Sequence, residues 1–376
     1  MWKITDRVAS AMLLPMAILA STAIGRSTTE PPGVVGIAGD TIVIDTTKPC
    51  ASCRIEVNRV TTLGGAKDSI AVYGFPRLVR SWSQQRFYVN TIPNTRIAVY
   101  DRHGRFRRLI GRSGGGPGEF RSVSRFGFGP SDSLVVFDDL ARRASVFDAS
   151  GTFVRSFVLK VATTSASSMQ WLDDGSFLVG GTVATEDRIG YPLHHLAPDG
   201  SIIRSFGSYP PRADPTYDAV SFRRAVVHAD TVWASRLDRY SIDMMTLGGE
   251  HIATFVRNAE WFPDRNSSNQ KAWGTYLPDP YLVDLTLDNS GYLWVLTVVG
   301  REEWVPGKPV EYESGNRREY YRTLIEVLEP RSGRLVAHRF FEDFTDGFAE
   351  PGVMYTHRPD SAGDIVYDVW HVSIQG

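Results

Sequence analysis

A strand–turn–strand unit recurs along this chain at a spacing of roughly fifty residues, and few folds accommodate such a period. One copy reads Leu134-Val135-Val136-Phe137-Asp138, a polar break ending at Arg142-Arg143, then Ala144-Ser145-Val146-Phe147-Asp148 and Gly151-Thr152-Phe153-Val154. An earlier copy reads Phe87-Tyr88-Val89-Asn90, a break ending at Arg96, then Ile97-Ala98-Val99-Tyr100-Asp101 and Gly104-Arg105-Phe106. Short strands and tight turns at this period make propeller blades. Glycines mark the expected turn between the third and fourth strand of each blade. Gly104, Gly151, Gly200 and the pair Gly248-Gly249 lie 47, 49 and about 48 residues apart, and Gly333 continues the series after a longer step.

Counting outward from the axis, the strands of blade one are expected at 77–82, 87–90, 96–101 and 105–110, and those of blade two at 125–129, 134–138, 144–148 and 152–159. Blade three takes 169–172, 177–180, 191–196 and 201–206; blade four takes 222–227, 232–235, 240–245 and 251–256. Blade five takes 281–287, 292–297, 323–328 and 334–341. The last unit offers 353–357, 365–369 and 370–374 and lacks a fourth strand. Residues 55–63 alternate apolar and polar side chains and can supply it beside 370–374, which removes two exposed sheet edges. The fold class is therefore all-β: a six-bladed β-propeller of four-stranded antiparallel blades, with the ring closed by the N-terminal strand completing the last blade.

A length of 376 residues suggests two or three domains in an ordinary chain, but a closed ring of repeats uses it in one. The domain plan is a signal peptide at 1–25, a Thr-, Gly- and Pro-rich flexible lead-in at 26–49, and a single propeller over 50–376. Lys3 and Arg7 precede an apolar run at 8–19, and Ser21 and Ala23 satisfy the small-x-small cleavage rule. Export to the periplasm or the extracellular space follows, with membrane attachment only through an uncleaved signal. Cys50 and Cys53 are the only cysteines and lead into a strand rather than a helix, so a short-range disulfide is expected. With 41 basic and 42 acidic residues the net charge of −1 gives no basic excess for nucleic acid, and no nucleic-acid partner is expected.

The run Gly111-Arg112-Ser113-Gly114-Gly115-Gly116-Pro117-Gly118-Glu119-Phe120, together with Arg96-Ile97-Ala98-Val99-Tyr100-Asp101 and the following Gly104-Arg105-Phe106, resembles the NHL-repeat six-bladed propellers. It is similar in particular to exported bacterial members with no assigned activity, over about residues 50–376. The resemblance implies the fold, but propellers host lactonases, lyases, ligand sensors and protein-binding platforms, so function has to come from a site. The polyglycine run lacks the Gly-Lys-Ser/Thr ending of a phosphate loop; Pro117-Gly118 fits a turn and Phe120 a plug between blades.

Strand alternation sorts the connections onto two faces. The turns between first and second and between third and fourth strands lie on one face; the second-to-third loops and the blade-to-blade crossings lie on the other. Both large insertions, 257–280 and 298–322, fall on this second face. They carry Trp273, Tyr276, Glu303, Trp304, Arg317 and Arg318, with Arg236 and Asp238 nearby on the same face. Interleaved aromatic and arginine side chains are what binding hot spots favour, and long loops in compact domains are usually functional. These eight residues form the candidate ligand-binding ridge over the channel mouth, for a protein, peptide or glycan bound by a monomer. No Gly-x-Ser-x-Gly elbow and no metalloprotease histidine spacing occurs, so no catalytic residue and no required cofactor is assigned. The alternative is a divalent-metal-dependent hydrolase, lactonase or lyase at the channel mouth. Lactonase-type propellers collect Glu, Asn and Asp ligands from several inner strands, and Glu119 and Glu350 lie near inner-strand entrances here. Asp138-Asp139 offers carboxylates too, but neighbours in a strand point to opposite sides.

Overall fold

A computed structural model describes residues 40–68, 70–72, 77–81, 83–159, 168–181, 192–207, 224–236, 239–262, 280–301 and 317–376. Along the chain, β1 (Asp40–Val43) and β2 (Arg54–Gly64) precede blade one, which is β3 (Leu78–Ser81), β4 (Arg86–Asn90), β5 (Ile97–Tyr100) and β6 (Phe106–Ile110). A short parallel pair, β7 (Arg112–Ser113) and β8 (Glu119–Phe120), carries the chain to the next blade. Blade two is β9 (Val123–Phe128), β10 (Leu134–Asp138), β11 (Arg143–Phe147) and β12 (Phe153–Val158). Blade three is β13 (Ser168–Trp171), β14 (Phe177–Gly180), β15 (Leu193–Leu196) and β16 (Ile202–Phe206). Blade four is β17 (Ala225–His228), β18 (Thr231–Ser235), β19 (Ser241–Thr246) and β20 (His251–Val256). Blade five is β21 (Tyr281–Leu287), β22 (Leu293–Gly300), β23 (Tyr321–Glu329) and β24 (Arg334–Phe341), with a single helical turn, α1 (Arg317–Tyr320), before β23. Blade six is β25 (Gly347–Glu350), β26 (Val353–Pro359) and β27 (Ile365–Gln375), completed by β2.

The fold is the all-β six-bladed propeller expected from the repeat, with antiparallel blades of four strands. The middle strands of a blade are packed on both sides by neighbouring blades, which is why Leu134–Asp138 and Ile97–Tyr100 are buried at every position. Among the described residues, an apolar cluster lies in each of the six gaps between blades. Phe120, fully buried, plugs the gap between blades one and two with Tyr88, Ile97, Phe126 and Phe147. The cluster joining Leu63, Tyr355 and Tyr367 to Leu78, Phe87 and Tyr100 lies where the ring closes.

The repeating glycines have a physical reason. Gly200 and Gly249 adopt φ of 81° and 88°, a left-handed conformation that a side chain disfavours. A Cβ on Gly249 would lie 2.6 Å from Phe206 Cβ, and one on Gly200 would lie 2.8 Å from Phe157. Each turn thus presses against the outer strand of the preceding blade, and the glycine makes that approach feasible.

Three expectations change. Asp40–Val43 is not part of a flexible lead-in: β1 adds in parallel to the outer edge of blade four, Asp40 opposite Ala253 and Val43 opposite Val256. Asp45 then donates its N–H to Gly333 O at 3.1 Å and accepts Leu335 N–H at 2.9 Å, so the segment ties blade four to blade five. In blade six, 365–369 and 370–374 are one strand rather than two, and the inner strand is Gly347–Glu350. The closure itself follows the expected pairing, from Arg54 opposite Gln375 to Gly64 opposite Val366. Cys50 and Cys53 form a disulfide at the start of this strand. Closing so small a loop contributes about 2 kcal/mol in the chain-entropy picture. No helix among the described residues is long and apolar enough to cross a membrane.

Candidate ligand-binding site

The inner strands of the six blades surround a central cavity of about 610 Å³. Its volume lies in the range of small-ligand pockets, roughly 300–1,000 Å³. Inner strands all begin on the insertion-bearing face, so residues at their starts gather around one mouth. Arg77 precedes β3, Arg125 lies early in β9, Arg224 precedes β17, Asp284 lies in β21 and Asp346 precedes β25. Tyr355 and His357 reach the cavity from β26, whose end is on the same face. Arg317, at the close of the second insertion, also lines it, with its guanidinium 5.3 Å from the centre of the Phe344 ring.

The electrostatics of this mouth are unusual. Burial pushes the Arg77 guanidinium down to about 10, and the nearby Arg224 charge adds to the effect against Tyr355 and Asp284. Arg125 is held well below the ordinary arginine value by burial and then by Arg77 and Arg224. A guanidinium keeps its proton at neutral pH even when desolvated. Burial raises the Asp284 carboxyl, opposed by Arg224, by the Phe348 N–H donated at 2.9 Å and by Arg77. Tyr355 is pushed up to about 12 by burial. Asp346 Oδ2 accepts from His357 Nδ1 at 2.7 Å, with both side chains nearly fully buried.

Other contacts hold the channel wall together. Gln170 pairs with the Val227 backbone of the next inner strand, donating Nε2 to Val227 O at 2.7 Å and accepting Val227 N–H at 2.6 Å. Glu350 forms an ion pair with Arg80 and Glu119 one with Arg112 at 2.8 Å, so both candidate metal carboxylates are engaged with arginines. Asp138 is fully buried and accepts backbone N–H groups of Arg121 at 2.7 Å and Ala141 at 2.8 Å. Arg143 donates to the carbonyls of Gly115, Gly116 and Glu119, fixing the glycine loop through its backbone rather than through a carboxylate. Among the described residues no three His, Cys, Asp or Glu side chains converge as a metal site would require. The mouth presents guanidiniums instead, and that donor set does not fit a divalent cation.

The ridge residues expected from sequence divide into three groups. Arg317 lines the cavity. Arg236 pairs with Asp243 at 3.2 Å within blade four, and Arg318 pairs with Asp343 at 2.8 Å beside α1. Asp238, Trp273, Tyr276, Glu303 and Trp304 lie outside the described residues. The residues that sequence reasoning passed over are Arg77, Arg125, Arg224, Asp284, Asp346, Tyr355 and His357. A signal existed for two of them: Arg77 and Arg125 each open the first strand of their blade in the sequence-based ranges.

A protein family described as a 6-bladed beta-propeller, DUF5128, matches residues 68–206. The matched part spans blades one to three of the ring. Among solved structures, a Bacteroides fragilis protein described as exported aligns at 13% identity and TM-score 0.56, covering 90% of this chain and 100% of that one. A member of the duf4221 family from Bacteroides vulgatus aligns at 8% identity and TM-score 0.57, covering 86% of this chain and 99% of that one. A gluconolactonase from Xanthomonas campestris aligns at 13% identity and TM-score 0.45, covering 88% and 99%. At such identities the likeness to the two Bacteroides proteins is one of fold alone. No curated protein matches the chain.

Proposed function

We propose that this chain is an exported, non-enzymatic propeller of the NHL-repeat kind that binds a protein, peptide or glycan at the channel mouth on its insertion-bearing face. The observation that supports this best is the open, polar cavity of about 610 Å³ on the axis, with Arg317 at the end of an insertion forming part of its lining. A cavity of this size takes the end of a ligand, and the aromatic and arginine content of the sequence at 257–280 and 298–322 suits the remainder. The disulfide and the signal-like N-terminus support export, since short-range disulfides persist in oxidising compartments. Replacing 302–316 by a Gly-Ser linker should abolish binding to defined glycan and peptide arrays while leaving the thermal melt nearly unchanged. Array binding that survives the replacement would remove the ridge from the site.

A second reading, a lyase or hydrolase, is favoured by one observation: the Asp346–His357 pair at the cavity wall. A buried carboxylate that orients an imidazole is the arrangement of a general base and its orienting group. If this reading is correct, a lactone and ester panel will show turnover that His357→Gln reduces at least a hundredfold. Absence of turnover by the wild-type protein leaves the binding propeller in place.

A further inference from the structure

Residues 86–112 hold seven arginines and a single acidic residue, Asp101, in a chain with 41 basic and 42 acidic residues overall. Four of these arginines gather on the face opposite the insertions. Arg86 opens β4, Arg102 lies in the β5–β6 turn, and Arg107 and Arg108 lie early in β6. With His103 and Asp101 they line an open cleft of about 720 Å³ at the turns of blade one. Asp101 accepts Arg107 Nη2 at 2.7 Å and the His103 and Arg105 N–H groups of its own turn at 2.9 and 3.0 Å. Arg107 is the one cleft arginine with an ion pair among the described residues. Two further carboxylates adjoin from the turns of blade two, and neither lines the cleft. Asp132 accepts the hydroxyls of Ser81, at 3.1 Å, and Ser83; Asp148 accepts that of Ser150 at 2.6 Å.

Neutral partners hold the guanidiniums in place. Arg86 donates Nη1 to Gln84 Oε1 at 3.0 Å, and Gln84 donates Nε2 to Ala149 O of the next blade at 3.1 Å. Arg108 donates Nη1 to Ser150 O and packs on Gly151, where an added Cβ would lie 2.8 Å from Nη2. That Nη2 is buried without a hydrogen-bond partner among the described residues. Arg102 donates Nε to His103 Nε2 at 3.0 Å. A neutral acceptor orients a guanidinium without cancelling its charge, so the cleft presents fixed N–H forks to whatever enters it. Phosphate suits this arrangement better than a carboxylate does. Its oxygens point in several directions, and the forks here come from β4, from the β5–β6 turn and from β6. A membrane attracts basic side chains that can reach its surface, whereas Arg86 and Arg108 are half-buried in the wall of a concavity.

We propose that this cleft of blade one is a second binding site, for the phosphate group of a soluble monoester or diester, with Arg86, Arg102, Arg107 and Arg108 contacting its oxygens. The site is independent of the channel mouth and stands whether or not that mouth binds a ligand.

The test is calorimetric titration of the folded protein with inorganic phosphate and, separately, with acetate, at constant ionic strength set by sodium chloride. Saturable phosphate binding is expected, with acetate weaker by about tenfold or more. Arg108→Gln should weaken phosphate binding roughly tenfold, and Arg108→Lys should restore only part of it, because an ammonium lacks the fork. If Arg108→Gln melts several degrees low, the double variant Arg102→Gln with Arg107→Gln decides instead. Both of those side chains are exposed, so the double variant should fold normally and bind phosphate about tenfold more weakly. Arg334→Gln, which removes a surface arginine of blade five, should titrate as the wild type does. Phosphate binding that fails to saturate, acetate that binds as well as phosphate, or binding unchanged in the folded variants would overturn the proposal. Vesicles of phosphatidylglycerol in phosphatidylcholine are the last arm. Sedimentation with them that the arginine substitutions abolish would overturn the soluble ligand in favour of a lipid headgroup, and no sedimentation beside saturable phosphate binding supports it.

Discussion

Glu326→Ala is expected to lower the unfolding free energy by about 3–5 kcal/mol, the cost of removing one partner of a buried ion pair. Glu326 lies in β23 with no exposed surface. It accepts the Tyr240 hydroxyl at 2.6 Å and forms an ion pair with Arg257, both from blade four. Arg257 in turn sits over the Tyr240 and Trp261 rings, 5.7 and 5.3 Å from their centres. One carboxylate therefore satisfies a buried cation and a buried hydroxyl across the gap between blades four and five. Burial alone pushes the Tyr240 hydroxyl up to about 12, so it stays a donor at every physiological pH. Truncation leaves Arg257 and Tyr240 without their acceptor in an apolar cluster. Urea unfolding should show a lower midpoint with an unchanged slope. Replacing both charges, Glu326→Leu with Arg257→Met, should recover most of the loss, because an apolar pair of similar volume leaves no charge unpaired. A loss below about 1 kcal/mol in the single variant would mean that water or relaxation replaces the pair.

The second large effect concerns the closure of the ring. A chain beginning at residue 66 is expected to lose cooperative unfolding altogether. It lacks β2, which pairs with β27 along its whole length. Ile55 and Leu63 are buried at 4% and 0% exposure, and their burial is worth roughly 3–6 kcal/mol together. That compares with a total stability of about 5–15 kcal/mol for an ordinary domain. The truncated chain would also present β27 as an open edge, a template for pairing with other copies. Calorimetry and size-exclusion chromatography provide the measurement. A chain beginning at residue 50 keeps β2 and loses β1 together with buried Ile44 and the Asp45 backbone bonds, and it should still melt cooperatively, at a lower temperature. A normal melt from the chain beginning at residue 66 would show that five blades and three strands of the sixth suffice.

Legibility from sequence followed the range of the interactions involved. Turn glycines such as Gly200 and Gly249 were readable because a left-handed φ is a local demand that few residues meet. The middle strands Leu134–Asp138 and Ile97–Tyr100 were readable because burial on both faces gives a continuous apolar run. Blade six was partly misread. Gly347–Glu350 is only four residues long and sits beside Pro351, too short for alternation to register. β1 escaped because four residues in a Thr- and Gly-rich setting carry no period, and its parallel partner lies some two hundred residues away in blade four. The short-range disulfide was predictable from spacing and context, since both cysteines precede the same strand.

What the sequence determined by itself was the architecture: the number of blades, most of the strands, the closing segment and the face that receives the insertions. Each rests on short-range chemistry repeated around the ring. What only the tertiary structure decided was the content of the axis. Arg77, Arg125 and Arg224 are separated by 48 and 99 positions, and each alone looks like an ordinary arginine at a strand entrance. Their meeting with Asp284 and the Asp346–His357 pair depends on every inner strand starting on one face and on the ring closing through β2. Convergence on an axis is a property of the closed ring, and no local pattern of side chains encodes it.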